Sequence, residues 1–308
     1  MRFTSFALIA ALAVPLPAFA APTQAEVDQA RLAYINGEYE TSLKVFHEAA
    51  EDGNAMALNI LGAAYEDGNG VDQDVTKAID FFERAAKAGE VRGRYNLGAL
   101  FAFGSGDVPA DRARAKREFG LAAAAGYAPA MTALGQLRER ADPPDHEAAV
   151  DWYEKAHERG DVIATANLAH AYVKGLGRPE NWQRARLLYT QAAAANYPRA
   201  FNDLGVIHEQ GYGVHADPIT AFSFFKRGVE LGYPRAGINI AELIVSARFP
   251  FSSKHAALGY CFWGLERADD TEREIFEQDC AEVEEALQPD DTVRAKARSF
   301  ADSIRLRN

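Results

Sequence analysis

Residues 55–89 read AMALNILGAAYEDGNGVDQDVTKAIDFFERAAKAG, and the chain repeats that stretch. The Leu61-Gly62 pair returns as Leu97-Gly98, Leu134-Gly135, Leu168-Ala169, Leu204-Gly205 and Ile240-Ala241, at spacings of 36, 37, 34, 36 and 36 residues. A closing residue keeps step with it: Gly89, Gly126, Gly160, Asn196, Gly232 and Ala268. A fixed period of this length predicts a solenoid, in which each small unit buries its apolar face against its neighbours. Such an array argues for a binding surface and against a catalytic centre.

Each unit reads as two helices. Ala57, Leu61, Ala64 and Tyr65 fall at i, i+4, i+7 and i+8, one face of a first helix that Gly68 and Gly70 stop. Val75, Ala78, Ile79, Phe82 and Ala86 mark the apolar face of a second helix, which Gly89 ends. Four residues before the small positions Ala78, Ala115, Ala149, Ala185, Ala221 and Ala257 stand Asp74, Asp111, Asp145, Asn181, Asp217 and Ser253, all residue types whose side chains cap a helix start. Pro218 follows the cap Asp217 directly, and Pro129, Pro198 and Pro234 sit near the starts of first helices. An aromatic column (Phe82, Phe119, Tyr153, Tyr189, Phe225) reads as a core stripe, and the small residues after the Leu/Ile column permit close helix approach.

The pattern L-G-x-x-Y, then G-x-G-V, an acidic cap and A-x-x-x-[FWY]-[FY]-x-x-A-A-x-x-G resembles Sel1-like repeats, relatives of tetratricopeptide repeats. Residues 55–89 and 197–232 match it well, 91–126 carry an extra residue in GSGDV, 127–160 have RERADPPD in place of the loop, 161–196 have GLGRP, and 233–268 are degenerate. The resemblance implies an all-α fold, an α/α solenoid with a right-handed superhelix and helical caps. It implies six repeats over residues 55–268: 55–90, 91–126, 127–160, 161–196, 197–232 and 233–268. Residues 21–54, with a shorter turn, resemble a tetratricopeptide unit and are expected to cap the array at its start. Residues 269–308 are expected to cap its end, with Ile275, Phe276, Cys280, Val283 and Leu287 on one helical face, then Val293, Ala297, Phe300 and Ile304 inward on a last helix.

The first twenty residues, MRFTSFALIAALAVPLPAFA, combine Arg2, an apolar run and the triplet Ala18-Phe19-Ala20. They predict a secretory signal peptide cleaved after Ala20, and hence a periplasmic or secreted protein without membrane insertion of the mature chain. The net charge of −11 is spread along the chain, with no basic footprint for nucleic acid.

The two cysteines, Cys261 and Cys280, fall on the inward faces of successive helices. They are expected either to form a disulfide, which an exported protein can keep, or to stay as two buried thiols. Some Sel1-like proteins with a disulfide in every repeat are linked to β-lactam binding or hydrolysis; this chain lacks those pairs, and the activity is not carried over. The seven histidines show no metal-ligand spacing, the loop EDGNGVDQD lacks the order of a calcium loop, and no cofactor motif is present.

By the same resemblance the first helices line a concave face that takes a partner protein or peptide. On it the sequence singles out Arg92, Tyr95, Asn96, Asn167, Arg199, Asn202, Arg235 and Asn239. Arg92 with Asn96, and Arg235 with Asn239, are i,i+4 pairs on one helical face. Asn bonds a peptide backbone from both ends, and Arg takes a carboxylate by two parallel bonds. The competing role for the Asn column is to tie neighbouring repeats together. The expected function is an exported, non-enzymatic scaffold or adaptor in cell-envelope signalling, assembly or host interaction. The alternatives are a peptidoglycan- or polysaccharide-binding envelope protein and a cell-wall or β-lactam hydrolase.

Overall fold

Apolar residues at helical spacing make a helix pair of each template copy, with an Asp or Asn cap in five of the six copies and a closing glycine in four. The computed structural model describes residues 21–246 and 253–305, and the leader expected over residues 1–20 lies outside them. Sixteen helices are found among the described residues, and no strand. The N-terminal pair is α1 (Gln24–Ile35) and α2 (Tyr39–Glu51). Then come α3 (Ala55–Asp67) with α4 (Val75–Lys87), α5 (Val91–Phe103) with α6 (Arg112–Ala124), and α7 (Ala128–Glu139) with α8 (His146–His157). They are followed by α9 (Val162–Lys174) with α10 (Trp182–Ala194), α11 (Pro198–Gln210) with α12 (Pro218–Glu230), and α13 (Pro234–Val245) with α14 (Lys254–Arg267). The tail adds α15 (Arg273–Leu287) and α16 (Asp291–Arg305). Two compact units divide within α6, between residues 122 and 123.

The caps follow the sequence. Asp74, Asp111, Asp145, Asn181 and Asp217 each accept a backbone N–H at the start of a second helix, at 2.9 to 3.1 Å. Ser253 holds the sixth such position without a cap bond, which corrects that expectation; its hydroxyl lies 3.2 Å from His255 Nε2 instead. Thr23 and Glu26 add a reciprocal capping box at α1. The closing residues Gly89, Gly126, Gly160, Asn196 and Gly232 all have positive φ, whereas α14 leaves its last turn through Ala268 in extended backbone.

Two close approaches explain the glycines of the motif. In the first unit the Phe82 ring covers Gly62 and the Phe119 ring covers Gly98; a Cβ on either glycine would stand 2.5 Å from the ring Cδ1. In the second unit Tyr153 covers Gly135 and Phe225 covers Gly205 in the same way. The aromatic and glycine columns therefore keep step because each ring occupies the room of a missing Cβ. The second glycine of each G-x-G loop, at positive φ, rests on the preceding second helix: Gly70 on Tyr39 and Leu43, Gly177 on His146, Gly213 on Trp182.

In the first unit Val27, Phe46, Leu58 and Leu61 belong to one buried cluster. In the second unit Ile238, Leu243, Leu258 and Trp263 join Phe276, Val283 and Leu287 of α15 and Ala297 of α16. Ile275, expected on the inward face, is 56% exposed. It lies beside Phe276, and adjacent helical residues point about 100° apart, so burying Phe276 turns Ile275 outward. A disulfide joins Cys261 of α14 to Cys280 of α15, with Cα atoms 5.6 Å apart.

Candidate functional site

The asparagines of the first helices lie at two consecutive positions of the repeat, and the fold pairs one with the other across neighbouring repeats. In the first unit Asn96 Nδ2 donates to Asn59 Oδ1 at 3.0 Å. In the second unit Asn239 Nδ2 donates to Asn202 Oδ1 at 2.7 Å, with both residues 6% exposed or less. Each bond runs from the residue before the Leu/Ile of one repeat to the residue two before it in the preceding repeat. Asn202 and Asn239 thus tie α11 to α13 and present little surface. Asn167, on α9, is half-buried.

The arginines divide into three situations. Arg92, at the start of α5, is exposed, and Tyr95 one turn on is half-buried 5.6 Å from the Phe119 ring. Arg235 is engaged by the C-terminal cap: it pairs with Asp279 of α15, lies 4.0 Å from Glu242 and sits over the Phe276 ring at 5.5 Å. Arg199, on α11, forms an i,i+4 ion pair with Asp203, Nε to Oδ2 at 3.4 Å.

Arg199 and Asp203 line a cleft of about 390 Å³ between α9, α10 and α11. His170 and Lys174 border it from α9, and Tyr189 from α10. Its outer wall is an aromatic stack: Trp182 and Tyr212 have centroids 4.1 Å apart and planes 20° from parallel. Gly211 and Gly213 flank Tyr212 at φ +76 and +68, and Gly213 lies close on Trp182, so the loop lays Tyr212 onto the indole of the preceding repeat.

The cleft perturbs its ionisable groups. Burial pushes the Asp203 carboxyl above its ordinary range, against the pull of Arg199. Its Oδ2 is buried and makes no hydrogen bond among the described residues, so the 3.4 Å contact is a charge pair without hydrogen-bond geometry. Burial lowers the affinity of His170 for a proton, and Arg199 and Lys174 lower it further. Burial, then the charge of Asp203, pushes the Tyr189 phenol up. The cleft therefore holds Arg199 and Lys174 against one carboxyl, beside a neutral imidazole.

Of the residues singled out from sequence, only Arg199 lies in this cleft; Arg92, Tyr95 and Asn96 belong to the first unit. Lys174, His170, Trp182 and Tyr212 are not among those residues. Trp182 follows the cap Asn181 where other copies have Val75, Arg112, His146, Pro218 and Lys254. Tyr212 stands between two glycines where others have Asn69, Ser105 and Leu176. Two aromatic departures from the template in adjacent copies were the available signal. His157 Nδ1 lies 2.8 Å from Thr165 Oγ1, a local packing role. No group of three or more His, Cys, Asp or Glu residues able to hold a metal is found among the described residues. None of the described helices is long and apolar enough to cross a membrane.

Comparison with known proteins adds the following. A family model described as Sel1 repeat matches residues 55–90, 91–127, 128–161, 162–197 and 198–233, more than half of the chain. Chitin synthase regulatory factor 3 of Schizosaccharomyces pombe is 28% identical over 219 residues, covering 66% of this chain and 23% of that protein. DAP3-binding cell death enhancer 1 of Mus musculus is 31% identical over 159 residues, covering 51% of this chain and 31% of that protein. An uncharacterised Neisseria meningitidis protein is 27% identical over 209 residues, covering 68% of this chain and 44% of its own. The chain thus spans less than half the length of these relatives. Among solved structures, a Sel1 repeat protein from Oxalobacter formigenes has a TM-score of 0.66 at 24% identity, covering 83% of this chain and 99% of that one. The protective antigen c5321 of uropathogenic Escherichia coli, which displays the same repeat fold, has a TM-score of 0.63 at 24% identity, covering 92% of this chain and 61% of that one. At such identity the likeness shows the fold alone. Sel1 repeat proteins generally serve as protein–protein interaction scaffolds, and the fold is generally non-catalytic.

Proposed function

Because the chain belongs to the Sel1 repeat family, we propose that it is an exported scaffold that binds a partner protein or peptide on the faces of its first helices, in cell-envelope signalling, assembly or host interaction. The observation that carries this reading is the repeated first helix itself. It offers side chains that the fold leaves in reach: Arg92 and Tyr95 on α5, Asn167 on α9, Arg199 on α11. Two features support export: the charged, apolar and small-residue order of residues 1–20, and the Cys261–Cys280 disulfide, which suits an oxidising compartment. No observation favours a peptidoglycan or polysaccharide ligand over a protein one.

The test is affinity capture from envelope extract, wild type beside Arg92→Ala and Arg199→Ala variants whose helicity matches wild type. Enrichment of one protein by wild type and its loss from either variant supports the reading. If wild type retains no protein from extract, the scaffold function is wrong. Separately, a pre-chain that exports no protein past the inner membrane removes the export part.

A further inference from the structure

We infer that the cleft between α9, α10 and α11 takes a carboxylate of the partner, held by the Arg199 guanidinium and Lys174, with the neighbouring side chain of the partner laid against the Trp182–Tyr212 stack. This deepens the scaffold reading and rests on it.

Arg199 is the centre of the argument. Only its Nε engages Asp203, at 3.4 Å, and its terminal nitrogens have no hydrogen-bond partner among the described residues. A guanidinium carries five donors in a fixed fork that matches a carboxylate, and the Arg199 side chain, 36% exposed, keeps that fork within reach of a ligand. Arg235, at the equivalent position two helices on, has a different fate: a terminal nitrogen is bonded to Asp279, and the other lies 4.0 Å from Glu242. The difference between the two marks Arg199 as the arginine left open.

The surroundings choose the sign of the ligand. Lys174 is exposed at the rim and forms no ion pair among the described residues. Asp203 is the one carboxyl in the lining, and His170 adds no charge near neutral pH. The cleft so carries a surplus positive charge in a chain whose net charge is −11. Electrostatic focusing in a lined cleft draws the opposite charge.

Size and walls choose the carrier. About 390 Å³ is at the small end for a ligand site and suits a carboxylate with one adjoining side chain. Tyr212 is 40% exposed, so the stack keeps aromatic surface within reach of that side chain. A chain terminus and an Asp or Glu side chain supply the same group.

Tetrapeptide probes distinguish these sources in titrations of the full chain followed by calorimetry. One set is Gly-Gly-Ser-Phe as free acid and as amide. The other is acetyl-Gly-Glu-Phe-Gly-amide and its Gln counterpart. The expected result is a preference of about tenfold or more, about 1.4 kcal/mol, for the carboxylate form in at least one set. Preference in the first set only assigns a chain terminus; preference in the second assigns an acidic side chain. Arg199→Gln should abolish the preference, and Lys174→Ala should reduce it severalfold. Trp182→Ala should weaken both members of a set and leave their ratio unchanged. Lys44→Ala, on the exposed face of α2 in the first unit, should match wild type.

Equal affinity for acid and amide forms, or a preference that survives in Arg199→Gln with wild-type helicity, overturns the inference. Should Arg199→Gln not fold, the rim variant Lys174→Ala carries the test, and an unchanged ratio there overturns it. If the peptides do not discriminate while a protein is still captured from extract, the cleft assignment fails and the scaffold stands. If they discriminate and no protein is captured, the scaffold fails and the cleft stands.

Discussion

A missing methyl group sets how closely a first and a second helix approach. Gly205 faces the Phe225 ring with no room for a Cβ, and Phe225 is fully buried. Gly205→Ala should therefore overpack the pair and cost about 1–3 kcal/mol, read from the midpoint of urea unfolding. An unchanged midpoint would mean that the ring has space to move. The tyrosines make a second residue-scale test. Burial, then Glu139, pushes the Tyr153 phenol far up, and Glu139 accepts its hydroxyl bond at 2.8 Å. Burial likewise raises Tyr189 strongly and pushes Tyr233 up to about 12. Below about pH 10 these phenols are protonated in both the folded and unfolded chain, and contribute no pH dependence. Above it the unfolded chain binds fewer protons, so stability falls as pH rises from about 10 towards the folded values. Phenolate absorbance from Tyr153 and Tyr189 should appear together with loss of helical circular dichroism. If all twelve tyrosines ionise near pH 10 while the helices persist, that account is wrong.

At the scale of the element, two kinds of polar bond hold the helices in register. Asn181 caps α10 through the Arg184 N–H at 2.9 Å. Asn181→Ala should cost about 1 kcal/mol in urea, and Asn181→Asp should cost far less. The Asn202–Asn239 bond joins two repeats in a nearly closed environment. Asn239→Ala leaves the Asn202 carbonyl buried without that donor, at a cost of about 1–3 kcal/mol. Asn167→Ala, at a half-buried position of α9, should stay within about 0.5 kcal/mol of wild type. Equal effects of the two substitutions would remove the tie between repeats as the role of Asn239.

At the scale of the molecule, a repeat array has no single core, and its stability is a sum of units and neighbour contacts. The end of the array is then the vulnerable part. Here α15 and α16 cover α13 and α14, and the Cys261–Cys280 bond fastens α15 across a sequence separation of 19 residues. Reduction should remove about 3 kcal/mol of stability on the chain-entropy model. Because contacts are local, the loss should stay local. Hydrogen exchange after reduction should rise in α13, α14 and α15 and remain unchanged in α3 and α4. Uniform acceleration along the chain would mean that the array unfolds as one cooperative body.

The sequence by itself determined the repeat, the helix pairs, five second-helix caps and the glycine and aromatic columns, because each depends on residues within a turn or within one copy of the template. Helical period, cap chemistry and positive φ are short-range properties. It also brought the Asn and Arg columns into view, yet left open what those side chains touch. Asn96 and Asn239 meet partners 37 residues away, and Arg235 meets Asp279 at a separation of 44. Trp182 and Tyr212 form one wall only because a G-x-G loop rests on the preceding second helix. Which arginine is filled and which stays open, which asparagine ties and which faces outward, was decided by the tertiary structure. The reason is physical: a hydrogen bond or charge pair between neighbouring repeats depends on how two helices pack, and identical positions of the template receive different neighbours.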